Sequence, residues 1–132
     1  MNLHSARIVT KDVAALARFY QEITGITPDG GEDYVEFATV GETLAISSKR
    51  ATDLYNAGAS VPESNRSMII EFEVDDVDQE RSRLREIIKE WVLEPTTHPW
   101  GNRSMLFRDP DGNLINFFAP VGRPVTSEEE VE

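Results

Sequence analysis

The chain of 132 residues contains no cysteine. Disulfides, thiolate metal sites and cysteine nucleophiles are therefore excluded by composition. Basic residues are scarce: 13 Lys and Arg stand against 24 Asp and Glu, a formal net charge of −11. Binding to a phosphate backbone needs clustered cations, so no nucleic-acid partner is expected. An acidic field draws cationic ligands, and it also serves plain solubility. No apolar run reaches the roughly 18 residues of a membrane span. The first residues also lack the apolar stretch of a signal peptide. The expectation is a soluble, cytoplasmic protein with no membrane partner.

What is present is a duplication. Ala6-Arg7-Ile8-Val9-Thr10 reads as a strand, and Asp12 suits an N-cap. Val13, Leu16, Phe19, Tyr20 and Ile23 then recur at helical spacing until Gly25. Farther on, Met68–Val74 reads as a strand, Asp76 as an N-cap with Gln79 placed to answer it, and Val77, Leu84, Ile87 and Ile88 as a helix stripe. Hairpins follow each: Tyr34–Thr39 with Thr43–Ser47, and Asn102–Phe107 with Leu114–Phe118. Asp12-Val13 recurs as Asp76-Val77, an offset of 64 (76 − 12), and Gly41 as Gly112, an offset of 71 (112 − 41). Two copies of one strand–helix–strand–strand–strand unit are implied. Their weak second strands fall near Ile26–Pro28 and Val92–Thr96. The second hairpin turns at Asp109-Pro110-Asp111-Gly112, whose residue types suit a type I turn.

The fold class expected is α+β: two tandem βαβββ modules forming a curved mixed sheet around a cleft. One domain, 1–122, holds module 1 (3–48), a linker (49–66) with a short helix at Ala51–Ala57, and module 2 (67–121). An acidic tail, 123–132, is expected to be flexible.

Strand period sorts the side chains into two faces. Ala6, Ile8, Val35, Phe37, Leu44, Ile46, Met68, Ile70, Phe72, Met105, Phe107, Ile115 and Phe117 fall on the helix-packing face. The opposite face collects Arg7, Tyr34, Glu36, Ala45, Ser47, Glu71, Trp100, Asn102, Ser104, Leu106, Asn116 and Phe118. Apolar walls with a few directional groups suit a ligand cleft; a covering second subunit is the alternative, and both readings stand. Arg7 and Glu71 are related by the same offset of 64 (71 − 7). They make either a polar anchor at the cleft floor or a structural pair that neutralises itself.

The order and spacing of three pieces carry a resemblance. They are Asp12-Val13 leading to Phe19-Tyr20 and Gly25; Phe72-Glu73-Val74-Asp75-Asp76-Val77; and Arg108-Asp109-Pro110-Asp111-Gly112-Asn113. The chain resembles the vicinal oxygen chelate superfamily, which includes glyoxalase I, extradiol dioxygenases and bleomycin-resistance proteins. That resemblance implies a divalent metal held by His and Glu-type ligands from each copy. The matching positions here are Ser5, Ala45, Ile69 and Asn116. Ala45 and Ile69 coordinate nothing, while Ser5 and Asn116 are weak neutral donors. No metal and no cofactor is therefore expected. His4 stands one residue from a ligand position, on the opposite face; His98 is expected at the surface or rim.

Pro99-Trp100-Gly101 and Thr43–Ser47 resemble bleomycin-resistance proteins in particular. That likeness implies a homodimer whose clefts hold an antibiotic-like ligand between aromatic walls and acidic surroundings, without catalysis. The ligand-binding residues expected are Arg7, Tyr34, Glu36, Ser47, Trp100, Asn102, Ser104, Asn116 and Phe118. The alternative is a lyase, isomerase or dioxygenase of the same superfamily with an atypical metal site, using Glu36 or Glu71 as a base.

Overall fold

The computed structural model describes residues 1–121; the expected acidic tail lies outside them. The elements run β1 (Ser5–Thr10), α1 (Val13–Thr24), β2 (Asp29–Gly30), β3 (Tyr34–Ala38), β4 (Thr43–Ser48) and α2 (Lys49–Asn56). The second half continues with β5 (Ile69–Glu73), α3 (Val77–Leu84), β6 (Glu90–Thr97), β7 (Asn102–Arg108) and β8 (Leu114–Pro120). The strands form two four-stranded mixed sheets, ordered β1-β4-β3-β2 and β5-β8-β7-β6. Two compact units result: Met1–Asn65 with Pro110–Gly112, and Arg66–Asp109 with the segment from Asn113 on. The α+β class and the doubled unit are as expected from sequence.

Strand register shows the duplication at residue level. In unit 1 Ser5 pairs with Thr43 and Arg7 with Ala45, in parallel; in unit 2 Ile69 pairs with Leu114 and Glu71 with Asn116. The antiparallel partners repeat too, Glu36 opposite Ala45 and Leu106 opposite Asn116. A slip of one residue in either sheet would put its apolar set into water. The patterning therefore fixes both.

In unit 1, Asp12 accepts from the Ala15 amide at 3.0 Å and starts α1, and Gly25 ends it at φ 73°. Leu16, Tyr20 and Ile23 of α1 are buried, as are Val35, Phe37, Leu44 and Ile46 of the sheet. In unit 2, Asp76 starts α3 by accepting from the Gln79 amide at 3.1 Å. Phe107 lies edge-on to Trp91 at 5.6 Å and to Phe117 at 5.2 Å, and Phe72 lies edge-on to Phe117 at 5.7 Å. The β7–β8 turn is closed from inside: buried Asp109 accepts from the Asn113 amide and from its side-chain nitrogen, both at 2.8 Å.

Several local expectations need correction. The second strand of unit 1 is Asp29–Gly30, not Ile26–Pro28. Pro28 has no amide to donate, and Gly30 at φ 141° fits where a Cβ would meet the Tyr34 carbonyl oxygen. Helix α3 ends at Leu84, and Ile88 is buried in the turn after it. Ala6 and Met68 share the core face by register or parity yet are exposed, because β1 and β5 are edge strands and Met68 precedes β5. The short helix expected at Ala51–Ala57 is present and starts two residues earlier, as α2, because the Ser48 hydroxyl accepts from the Ala51 amide and caps it there.

Two forked ion pairs tie elements of unit 2 together on its surface. Arg103 holds Asp78 of α3 at 2.7 and 2.9 Å, and Arg81 holds Glu94 of β6 at 2.7 and 3.1 Å. The hydrogen-bonded guanidinium is the main cause in each case, and both carboxyls sit below their ordinary pKa values. A depressed carboxyl contributes stability that is present above its unfolded value and lost as pH falls through its folded one. Urea unfolding of the parent protein should therefore show stability falling as pH drops below the ordinary carboxylate range. Asp78→Asn should show a smaller drop, and equal drops would mean that this pair adds nothing. The contribution is small because the groups are exposed to solvent.

Candidate functional site

In unit 1 the face away from α1 is built by alternation on three strands. Arg7, Ala45 and Glu36 lie side by side on β1, β4 and β3, with Tyr34 opposite Ser47 one step along. Ala45, between Arg7 and Glu36, is fully buried. The Tyr34 hydroxyl donates to Glu36 Oε2 at 2.7 Å, and the Arg7 guanidinium lies 5.9 Å from the Tyr34 ring centre. Hydrogen bonding to Glu36 raises the phenol above its ordinary pKa, so Tyr34 remains a donor at neutral pH. Ser47 is on this face but buried, and its hydroxyl is engaged with Thr52 of α2 at 3.0 Å. That contact depends on α2 folding back over the end of β4.

In unit 2 the corresponding face carries Ser104 opposite Phe118 and Asn116 between Leu106 and Glu71. Asn116 Nδ2 donates to Glu71 Oε2 at 3.0 Å, while its Oδ1 is buried without a partner. Glu71 and Arg7 thus each find a partner within their own unit. Trp100 sits in the β6–β7 turn, two residues before β7, and is 67 % exposed. The turn is pinned by the His98 amide on the Asn102 carbonyl at 2.7 Å and the Gly101 amide on the His98 carbonyl at 3.1 Å.

His98 is the residue that sequence reasoning placed at the rim without a role. Its ring stacks on Trp100 with centroids 4.7 Å apart and planes 2° from parallel. Its Nε2 is 2.6 Å from the buried Ser104 hydroxyl. One indole face is thereby occupied and its angle set. Ser104, on the face expected to meet a ligand, is the hydrogen-bond partner of His98. The available signal was the four-residue run His98-Pro99-Trp100-Gly101: a turn there returns the chain so that His98 faces Asn102, on the side of Ser104. His4 is exposed and precedes β1.

A family model described as the Glyoxalase/Bleomycin resistance protein/Dioxygenase superfamily matches residues 2–117. The chain belongs to that superfamily. It is 29 % identical over 127 residues to the uncharacterized protein YraH of Bacillus subtilis, covering 89 % of this chain and 98 % of that one. Among solved structures it resembles a glyoxalase/bleomycin resistance protein/dioxygenase family enzyme from Burkholderia phytofirmans. The TM-score is 0.80 at 17 % identity, over 92 % of this chain and 100 % of that one. A glyoxalase/bleomycin resistance protein/dioxygenase from Nocardioides gives 0.75 at 23 % identity, over 94 % and 87 %. At these identities the structural likenesses carry the fold.

The metal that the family resemblance implies does not fit these donors. Ala45 presents a buried methyl and Ile69 an alkyl chain, which leaves only the Asn116 amide oxygen and the Ser5 hydroxyl as donors at those positions. Among the described residues no group of three or more His, Cys, Asp and Glu is close enough to hold an ion. A single amide oxygen and a serine hydroxyl are far from the imidazole and carboxylate sets that bind divalent transition metals. No helix among the described residues is long and apolar enough to cross a membrane.

Proposed function

We propose that this member of the superfamily binds a flat, cationic, antibiotic-like small molecule and sequesters it without metal chemistry. The observation that carries the reading is Trp100: an exposed indole held at a fixed angle by a parallel His98 ring, with its other face free. A π-face turned to solvent stacks on aromatic ligands and attracts cations. Within unit 2, Asn102, Asn116 and Phe118 supply further aromatic and polar contacts; within unit 1, Tyr34 and Glu36 form an aromatic and acidic face of their own. Arg7 lies along the Tyr34 ring and orients it; Ser47 and Ser104 support the faces through Thr52 and His98. The acidic net charge favours a cation over an anion.

The binding unit proposed is a homodimer in the cytoplasm. Edge strands β1 and β5 leave backbone groups open to pairing, and light scattering reads the mass against 14.8 kDa for one chain. A second reading, an enzyme using Glu71 as a base, draws on the Asn116–Glu71 hydrogen bond and on enzyme relatives of the same fold. A thermal-shift screen of aromatic cations and uncharged aromatics, with and without divalent metals, separates the two. Sequestration predicts upward shifts for cations that are the same in both conditions. Shifts that appear only with metal, together with turnover lost on Glu71→Gln, would favour the enzyme.

A further inference from the structure

We infer that His98 makes the Trp100 site pH-sensitive: an imidazolium on one face of the indole weakens binding of a cation on the other. The inference rests on Trp100 being the ligand wall, as proposed above, and concerns a charge that the wall itself acquires. His98 and Trp100 lie parallel, with centroids 4.7 Å apart and planes 2° from parallel. His98 is half-buried and Trp100 is exposed, so protons reach the first and ligands the second. A flat cation on the free indole face completes a stack of imidazole, indole and ligand. At ordinary stacking distances the two outer rings are on the order of 9 Å apart. That is within the screening length of about 10 Å at 0.1 M salt, and an indole ring, not water, lies between them.

Imidazole is the side chain that changes charge near neutral pH. Gaining a proton breaks neither of the contacts that hold this ring. Its Nε2 is 2.6 Å from the Ser104 hydroxyl, which accepts from a protonated nitrogen and donates to a bare one. An imidazolium over an indole is also held by cation–π attraction. The charge is therefore added in place. The indole then already serves one cation, and a second on its far face meets Coulomb repulsion. An uncharged flat ligand meets none.

The neighbouring strands add few charges on this side. Ser104 lies between Thr96 of β6 and Phe118 of β8, both uncharged. Arg103 of β7 is turned to the other face, where it forks onto Asp78 of α3 and also reaches Thr97. The acids on the same face come from β5: Glu73 beside Phe118, and Glu71, which accepts from Asn116. Protonating either glutamate would weaken cation binding too, so the pH step has to be assigned by substitution.

The test follows the Trp100 indole N–H and the His98 ring protons by NMR while the full chain is titrated with N-methylacridinium or with uncharged caffeine. N-methylacridinium should bind about fivefold more weakly at about pH 5.5 than at about pH 8, and caffeine equally at both. Linkage requires the reverse effect: saturating N-methylacridinium should move the His98 titration midpoint down by the same factor. His98→Phe keeps a ring that cannot charge and should remove the step. His4→Gln, at the other of the two histidines, should keep it. If His98→Phe does not fold, the midpoint shift in the parent decides. Equal N-methylacridinium affinity at both pH values would overturn the inference and leave the sequestration reading standing. Tighter binding at the lower pH, or a step that survives His98→Phe, would overturn it as well. No binding at either pH would overturn both the inference and the reading beneath it.

Discussion

Replacing Trp100 with alanine should weaken binding of a flat aromatic cation such as N-methylacridinium by about tenfold or more. It should leave the unfolding temperature nearly unchanged. The two halves follow from one geometry. Trp100 is 67 % exposed and lies in a turn, so little core packing depends on it. Its contribution is a π-face, and stacking plus cation–π attraction together are worth about 1–3 kcal/mol. Trp100→Phe keeps a ring of lower electron density and should fall between parent and alanine. Isothermal titration of the three proteins gives the ranking. If alanine binds like the parent, the wall is elsewhere and the indole serves only the turn.

Phe107→Ala should cost about 3–5 kcal/mol of unfolding free energy, a large share of the roughly 5–15 kcal/mol a domain possesses. Phe107 is fully buried on β7 and touches Trp91 and Phe117 edge-on, and Phe117 in turn meets Phe72. Truncation removes the middle of that chain of rings. Trp91, on one side of that gap, is also held by the Arg81 guanidinium, 4.0 Å from its ring centre. Urea unfolding at neutral pH measures the loss. A value below about 1.5 kcal/mol would mean that the sheet closes over the gap and that the aromatic cluster is not the centre of unit 2. The same strand carries Ser104 and Leu106 on its opposite face, so affinity for N-methylacridinium should fall along with stability.

The sequence made the strand faces legible because alternation and duplication both constrain them. Arg7 beside Ala45, and Glu71 beside Asn116, follow from two offsets, and the register repeats both pairs. The Asp109–Asn113 turn was legible because its residue types have one good local solution. Contacts set by turn and helix geometry rather than by strand alternation were not. The Ser47–Thr52 bond needs α2 folded over β4, and α2 has few apolar residues to announce it. The His98–Trp100 stack needs a turn whose geometry is set by backbone hydrogen bonds rather than by apolar period. The two-residue β2 is too short for any periodicity to mark. The hydrogen bonds of Ser47 to Thr52 and of Ser104 to His98 also carry no signal in strand period, because a buried hydroxyl is satisfied by whatever neighbour the fold brings.

The central claim is that this chain has kept the superfamily's frame and replaced its metal site with an aromatic, acidic binding face. Isothermal titration of N-methylacridinium tests it most directly, run on protein treated with EDTA and again after adding Zn²⁺ or Mn²⁺. The account predicts one dissociation constant across the conditions and no heat from either metal alone. Binding that disappears with EDTA and returns with metal would contradict it.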